Sequence, residues 1–592
     1  MSRGEQAFVA LALAAVLAVP PSRAEPPAWV AVSDAHTAEV TALFARYLPE
    51  LMGQLGVEAV DEEIRQFPLD LEERTAREER ALLASLGERL GSETHPAVRQ
   101  DLEILIDVLE RDLELSELRA SLMLPYFDVA EIVFRGLRGL LDDQVAPDRR
   151  AAALVRLGRY AGLEEGYEPL AVQAEAYVRS RFAEPDLIGP FREEVELDLA
   201  RAERIVPGIE ALLREYELDG WEPAYAALER QLTAYHDFVR AEILPRARDD
   251  FRIPRELYAL ELADLGVDME LGELVRAAKV SFREIQNEMR SLARLVAERR
   301  GLASHDYRDV LRELAGEQLV GEEILTFYRA RIADVEAIIE RERIATLPDR
   351  PLDLRVASEA ESAFAQSATI RWPQLLGEAA EVGEIILPLT RPASDGEDDL
   401  GLTDFTSEAA AWSLVVHEGR PGHELQLASM LELGVSKARA FYAFNSTNVE
   451  GWALYAEAEM KPYLPLEAQL VSLQHRLLRA ARAFLDPGLQ IGEIGREEAM
   501  RVLTDDVVIS TALAEQEVER YTSDSPGQAT TYFCGYSRLM ELRTDAERLL
   551  GERFDRLAFN DFLLAQGLVP PRLLRRAVME ELVGSGGSDL GP

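Results

Sequence analysis

Two histidines that lie close together in the sequence are the residues best suited to carry out chemistry. The chain has 7 histidines in 592 residues, and two of them enclose the segment His417-Glu418-Gly419-Arg420-Pro421-Gly422-His423. Imidazole nitrogens are common zinc ligands, and an adjacent glutamate can accept a proton from water, as in the His-Glu-x-x-His motif. The segment therefore indicates a hydrolytic zinc centre, with Glu418 as its base.

The spacing of these histidines requires a break in the helix that carries them. On a regular α-helix, residues six positions apart point ~120° away from each other. Pro421 has no amide hydrogen to donate to the carbonyl of His417, and its ring clashes with that carbonyl. Gly422 supplies backbone freedom. We therefore expect the chain to loop out and to return His423 to the side of His417.

The third zinc ligand is predicted from an acidic helix downstream. In Glu450-Gly451-Trp452-Ala453-Leu454-Tyr455-Ala456-Glu457 the two glutamates, seven residues apart, share one helix face. We expect Glu450 to bind the metal and Glu457 to accept the proton of a ligating imidazole, which fixes its tautomer and orientation. The reverse assignment and a solvent-facing role stay open, because glutamate is abundant in this chain.

The elements that must position these residues are mainly helical. Apolar residues recur at steps of three and four from about residue 35 to 340, and glycine and proline are thinly spread. Residues 384–389 read as a strand of a small β-sheet that borders the active cleft and pairs with an extended substrate; a short buried apolar segment is the alternative. We divide the chain into helical regions at 25–265 and 266–583, the second carrying the metal site, followed by a flexible tail at 584–592.

The composition and the first residues indicate an exported protein. A basic start, an apolar run over 7–19 and the end Ser22-Arg23-Ala24 predict a signal peptide cleaved after Ala24, hence a periplasmic or secreted location. We expect no integral membrane segment in the mature chain. The net charge of −43 repels phosphate backbones and argues against a nucleic-acid partner. Cys534 is the only cysteine, which excludes an intrachain disulfide and favours a buried apolar role.

Several ordered motifs resemble a family known as Domain of Unknown Function 885, which is grouped with the gluzincin zinc peptidases. They are Leu244 to Arg248, His417 to Gln426, Glu450 to Tyr455, Arg479 to Arg482 with Asp486 and Gly488, Pro526 to Ala529, Tyr532, Gly535, and Leu542-Arg543. The resemblance implies a helical peptidase-like fold, a Zn²⁺ site of two histidines and one glutamate, and Asp486 as a residue behind the ligands. It is also distantly similar to the thimet oligopeptidase family, which implies a transition-state tyrosine at Tyr532 or, second, Tyr536.

Two positions depart from that family's pattern. Glu424 stands where a second histidine usually follows Pro-Gly, and Gln490 stands where a histidine usually follows the Asp-x-Gly motif. The sequence thus predicts a zinc peptidase that cleaves peptides or other small amides, with a weakened or inactive member of the family left open. The alternatives are a zinc hydrolase of non-peptide amides or esters, and a noncatalytic helical binding protein that kept the fold.

Overall fold

The structure, a computed structural model, describes residues 27–143, 145–357, 368–377, 383–391, 400–401 and 403–584. The fold is mainly α with a small three-stranded sheet, which confirms the predicted fold class. The predicted signal peptide and all of the predicted tail except Gly584 lie outside the described residues. The division at residue 265 stays a prediction.

The α-helices vary widely in length. In chain order, α1 to α12 are Ala28–Tyr47, Pro49–Gln54, Leu71–Ser92, Pro96–Leu122, Val129–Arg138, Pro147–Arg150, Ala152–Tyr160, Leu170–Ser180, Arg192–Glu215, Glu222–Phe238, Arg255–Asp264 and Leu271–Arg300. The next eleven, α13 to α23, are Tyr307–Ala315, Glu322–Glu342, Glu408–Leu414, His423–Leu433, Ser446–Met460, Leu466–Gln490, Arg496–Arg501, Thr511–Glu519, Thr531–Leu550, Arg556–Ala565 and Pro571–Ala577.

Shorter helical segments of two kinds join or extend these helices. Wide π-helical turns occur at Val239–Ile243, Val415–Gly419, Ala438–Tyr442, Val502–Val507, Arg520–Asp524 and Val578–Val583. Tight 3₁₀ turns occur at Glu58–Val60, Arg181–Ala183, Leu244–Arg246, Thr403–Phe405, Lys461–Tyr463, Gln528–Thr530 and Gly551–Arg553.

The predicted strand at 384–389 is present but does not lie at an edge. It corresponds to β3 (Gly383–Leu387), which runs parallel to β1 (Leu352–Val356) on one side and antiparallel to β2 (Thr369–Ile370) on the other. Because neighbours take up both sides of β3, an extended substrate cannot pair with it, and the expected edge-strand role of this segment is wrong. A separate pair is formed by β4 (Thr390–Arg391) and β5 (Leu400–Gly401).

The sheet packs against the helix that leads to the histidines. Leu354 of β1 and Ile385 of β3 are buried in one apolar cluster with Val415 and Val416, the residues that precede His417. On the other side of the site, α12 packs along α18, with Phe282, Ile285 and Met289 among the residues it buries there. The histidine segment is therefore held in the interior of the fold. Among the described helices, none combines the length and apolarity needed to cross a bilayer.

Candidate metal centre

The helix that carries His417 ends where the sequence predicts a break. Helix α15 begins at the N-cap Ser407, whose Oγ accepts a hydrogen bond from the amide of Ala410, and runs into the π-helical turn that contains His417. Arg420 is extended, and α16 starts at His423. A Cβ on Gly422 would lie 1.9 Å from the carbonyl oxygen of His417, so only glycine allows this close approach.

Trp452 fixes the turn onto helix α17. Its indole Nε1 donates to the carbonyl oxygens of Pro421 at 2.9 Å and of Gly422 at 3.2 Å. Both carbonyls lie in the broken segment, and that of Gly422 also accepts from the amide of Gln426 at 3.1 Å, in the first turn of α16. The same helix carries Glu450, so this contact ties the position of the second histidine to that of the predicted third ligand.

The three predicted ligands meet in space. His417, His423 and Glu450 offer ligand atoms that all lie within 4.8 Å of one another. Oε2 of Glu450 is 3.7 Å from Nε2 of His417 and 3.4 Å from Nε2 of His423. The two imidazole rings stand nearly edge to face, with centroids 4.8 Å apart. Their nitrogens thus converge on one carboxylate oxygen.

These separations fit a tetrahedral zinc ion. With metal–ligand bonds of about 2.0–2.1 Å, ligand atoms around tetrahedral zinc are roughly 3.3 Å apart, close to the two distances measured at Glu450. Oε2 of Glu450 is buried and has no hydrogen-bond partner among the described residues. A buried carboxylate oxygen left unpaired between two imidazoles is what a cation site requires. Two nitrogens and one oxygen are also a donor set of catalytic zinc sites.

Glu457 contacts His417 on the side of the ring away from Glu450. Its Oε1 accepts from Nδ1 of His417 at 2.7 Å, on the side of the ring opposite Nε2. Its side chain is 1% exposed, whereas Glu450 keeps 15% and can be reached by water. A catalytic zinc ion keeps one coordination position open for water, so its ligands lie where water can reach. A residue that only orients an imidazole can be fully buried. The geometry therefore favours the assignment preferred from the sequence.

A buried polar network that the sequence gave no reason to expect lies behind Glu457. Ser413 Oγ is 3.5 Å from Oε2 of Glu457 and 2.9 Å from Nδ1 of His475. Burial and the charge of Arg479 lower the pKa of His475 to about 3, so this ring is neutral. His423 has no such support: its Nδ1 is buried without a hydrogen-bond partner among the described residues.

Electrostatics distinguish the carboxylates of the centre. Burial alone raises the pKa of Glu450, but the two imidazoles outweigh burial and hold it well below its usual range. Burial lowers the pKa of His417, but Glu450 and Glu457 outweigh it and raise that pKa to about 9. Burial raises the pKa of Glu418, whose Oε1 is 4.0 Å from Nε2 of His417. Glu418 is thus a more basic carboxylate beside the ligand edge of His417.

Of the two predicted tyrosines, Tyr532 lies at the centre. Its ring is nearly parallel to that of His417, with centroids 6.4 Å apart. Burial and the charge of Glu450 both raise the pKa of its hydroxyl. The hydroxyl of Tyr536 instead accepts from Arg476 at 3.0 Å, and that guanidinium also stacks on its ring. No contact within the described part of the chain joins Tyr536 to the ligands, so its assignment to the site is not supported.

A crossing of two helices brings Tyr532 close to Glu450. Gly451 of α17 and Gly535 of α21 face each other so closely that a Cβ on Gly535 would lie 1.9 Å from the carbonyl oxygen of Thr447. Tyr532 is one turn before Gly535, and Glu450 directly precedes Gly451. The paired glycines, which both belong to the motifs shared with the family, therefore set the distance between ligand and tyrosine.

Asp486 has a different place from the one predicted. Its carboxylate accepts from the hydroxyl of Tyr258 at 2.9 Å and from the amide of Gly527 at 2.9 Å, and it is fully buried. These partners belong to α11 and to the loop before α21. Asp486 thus braces the loop that leads into the tyrosine helix instead of contacting the ligands.

The two positions that depart from the family pattern are also occupied by structural contacts. Glu424 forms a buried bidentate ion pair with Arg420, at 2.6 and 3.2 Å. Gln490 donates to the carbonyl of Tyr521 at 2.7 Å. Neither side chain belongs to the ligand group of His417, His423 and Glu450.

Comparison with known proteins places the chain in a family. The family described as "Bacterial protein of unknown function (DUF885)" matches residues 49–578, which include every predicted site residue. The chain belongs to the DUF885 family. Among curated proteins, none matches it significantly.

Two solved structures share the fold of this chain. A "putative lipoprotein of unknown function" from Shewanella oneidensis is 21% identical, with a TM-score of 0.71, and the match covers 93% of this chain and 99% of that one. A "putative lipoprotein" from Colwellia psychrerythraea is 18% identical, with a TM-score of 0.75 and the same coverage of both chains. "PZ PEPTIDASE A with inhibitor 2" matches 89% of this chain and 98% of that chain at 14% identity, but its TM-score of 0.26 supports no statement about this DUF885 protein.

Proposed function

We propose that this DUF885 protein is a zinc-dependent hydrolase that cleaves peptide bonds. The observation that carries the proposal is the convergence of two imidazole nitrogens on the unpaired Oε2 of Glu450, with Glu418 beside them. His417, His423 and Glu450 would hold Zn²⁺, which when bound would lower the pKa of a water molecule toward neutrality and polarise a carbonyl group.

The chain's own residues supply the proton transfers. Glu418, with its raised pKa, accepts the proton that the attacking water loses and passes it to the departing amine. Hydrolysis thereby consumes one water and yields one carboxylate and one amine. Tyr532 stands beside His417, and no hydrogen bond within the described residues occupies its hydroxyl. That hydroxyl donates to the oxyanion of the transition state.

The test compares zinc-loaded protein with its Glu418→Gln variant on a peptide library read by mass spectrometry. We expect wild-type protein to cleave peptides, a chelator to abolish cleavage, and Glu418→Gln to retain zinc while losing about 10²–10⁴-fold in rate. Glu408→Gln is a matched control, because Glu408 is an exposed glutamate at the start of α15. An active Glu418→Gln protein would refute the assigned base.

The same digest separates this proposal from its alternatives. Cleavage of ester or non-peptide amide substrates together with untouched peptides would indicate a different hydrolase. Zinc-loaded protein that cleaves neither class of substrate would indicate a binding protein.

We also propose that the protein acts outside the cytoplasm. The leader pattern at 1–24 and the description of two similar structures as lipoproteins support this location. The mass of the protein recovered from a periplasmic fraction tests it. We expect a chain that begins at Glu25, and a full-length chain confined to the cytoplasm would contradict the proposal.

A further inference from the structure

Arg479 is a charged side chain at the centre that the proposed reaction does not use. It lies on α18, its Nη2 is 3.9 Å from Oε1 of Glu457, and its Cζ is 5.7 Å from the centroid of the Tyr532 ring. Because Glu457 Oε1 is 2.7 Å from His417 Nδ1, the guanidinium is within about 7 Å of the His417 ring. Its side chain is 11% exposed, so part of it can be reached from solvent.

The hydrogen-bonding capacity of Arg479 is largely unfilled. Its Nη1 donates to the carbonyl of His475 at a long 3.3 Å, and its buried Nε has no partner among the described residues. Glu457, the carboxylate beside it, is already bound to His417 at the shorter distance. Arginine at such a position is suited to bind a planar anion, because the guanidinium presents its donors as a fork.

A neighbouring arginine on the same helix, unlike Arg479, pairs closely with a carboxylate of the chain, although its Nη1 has no partner among the described residues. Arg482, one turn further along α18, forms a bidentate ion pair with Glu517, with one contact at 2.7 Å, and its Cζ is 4.4 Å from the centroid of the Tyr532 ring. Arg479 has no comparable carboxylate in the described residues. The contrast indicates that the partner of Arg479 comes from outside the chain.

We propose that Arg479 binds the C-terminal carboxylate of the substrate, so that the enzyme removes one or two residues from the C-terminus of peptides. This inference rests on the proposed peptidase function. One residue of extended chain covers at most about 3.6 Å, so a carboxylate one or two residues beyond a carbonyl at the ligand edge of His417 reaches the guanidinium. When an internal peptide bond far from the chain end lies at the centre, the C-terminal carboxylate is too far away to reach Arg479.

The first experiment changes the substrate and leaves the protein intact. Matched peptides with a free or an amidated C-terminus are given to the zinc-loaded protein, and the rates and product masses are measured. We expect at least a 10-fold higher kcat/KM for the free acid, consistent with the strength of hydrogen bonds between charged groups, and products shortened by one or two residues. Equal rates for acid and amide, or cleavage far from the C-terminus, would overturn the subsite while leaving the peptidase function standing. If neither peptide is cleaved and neither binds, the proposed function fails together with the inference.

The second experiment changes Arg479 and measures binding without turnover. In a Glu418→Gln background, calorimetry gives the affinities of both peptides for variants that also carry Arg479→Gln, Arg479→Lys or Arg476→Gln. We expect the preference for the free acid to vanish with Arg479→Gln and to be largely kept with Arg479→Lys, which retains the charge. Arg476, one turn earlier on α18, contacts Tyr536 instead of the centre, so Arg476→Gln keeps the preference. A preference that survives Arg479→Gln unchanged, or that Arg476→Gln abolishes equally, would contradict the role of Arg479.

Discussion

Replacing Glu457 by glutamine tests whether this buried carboxylate prepares His417 to bind zinc. The hydrogen bond from Nδ1 of His417 to Oε1 of Glu457 is 2.7 Å long and fully shielded from solvent. It keeps the proton on Nδ1, so that the lone pair of Nε2 points toward Glu450. A glutamine can offer an oxygen in the same place but lacks the charge, and its amide nitrogen would compete for the ring.

The expected loss of zinc affinity follows from this geometry. Removing a carboxylate that orients a ligating histidine costs about 10–100-fold in metal affinity, which is about 1.4–2.8 kcal/mol. His423 has no carboxylate of its own, because its Nδ1 is unpaired among the described residues. The support that Glu457 gives is therefore not duplicated at the second histidine, and we expect the loss in the upper half of that range.

Competition with a chromophoric chelator of known zinc affinity measures the effect. Glu459→Gln is the matched control, since Glu459 lies on the same helix and pairs with Arg543 away from the ligands. Thermal unfolding of both variants without zinc shows whether each is folded. A folded Glu457→Gln protein with the zinc affinity of wild type would refute the assignment of Glu457, and a loss equal to that of Glu459→Gln would show an indirect effect.

Three further predictions address other parts of the account. We expect Tyr532→Phe to lower kcat by about 100-fold with zinc retained, and Tyr536→Phe to change it less than 3-fold in the same peptide assay; equal losses would contradict the choice between them. Gly422→Ala places a Cβ 1.9 Å from the His417 carbonyl oxygen, and we expect it to abolish zinc binding. Gly87→Ala, in open space on α3, is the control and should leave zinc binding intact. Metal analysis after dialysis measures both effects. Burial and the charges of Asp128 and Glu194 raise the pKa of Asp198 to about 8. Between about pH 4 and pH 8 the folded protein therefore holds a proton that the unfolded chain has released. The unfolding free energy falls as the pH rises through this range. We therefore expect Asp198→Asn to raise the unfolding free energy by up to about 5 kcal/mol at pH 8 and to leave it unchanged near pH 3, as measured by denaturant titration, and no difference at pH 8 would contradict the shift.

The helical class and the break before His423 were predictable because both arise from local chemistry. Proline at position 421 removes a helical hydrogen bond whatever the rest of the chain does, and the structure shows the helix ending in a π-helical turn there. The positions of Glu450 and Glu457 on one helix face follow from helical periodicity alone. Which of the two lies at the Nε2 atoms depends on where α17 sits along its axis relative to the histidines, and Trp452 anchors that position by a contact that sequence spacing does not reveal.

The features that the sequence did not predict correctly all depend on packing between distant parts of the chain. The strand at 384–389 was recognisable from its apolar residues, but its central position depends on β1 and β2, which lie elsewhere in the chain. The family motif predicts Asp486 behind the ligands, whereas in the structure it holds the loop at Gly527. Arg479 was visible in another such motif without a role, since only the structure shows it beside Glu457 and Tyr532.

Measuring the zinc content of the purified protein is the sharpest test of the proposed metal centre. Wild-type protein and its His423→Ala and His305→Ala variants are incubated with zinc, dialysed and analysed by mass spectrometry of the metal, with folding checked by circular dichroism. We expect about one zinc per chain in wild type and in His305→Ala, where an exposed histidine is removed, and none in His423→Ala. Folded wild-type protein without zinc, or His423→Ala that still holds one zinc per chain, would contradict it.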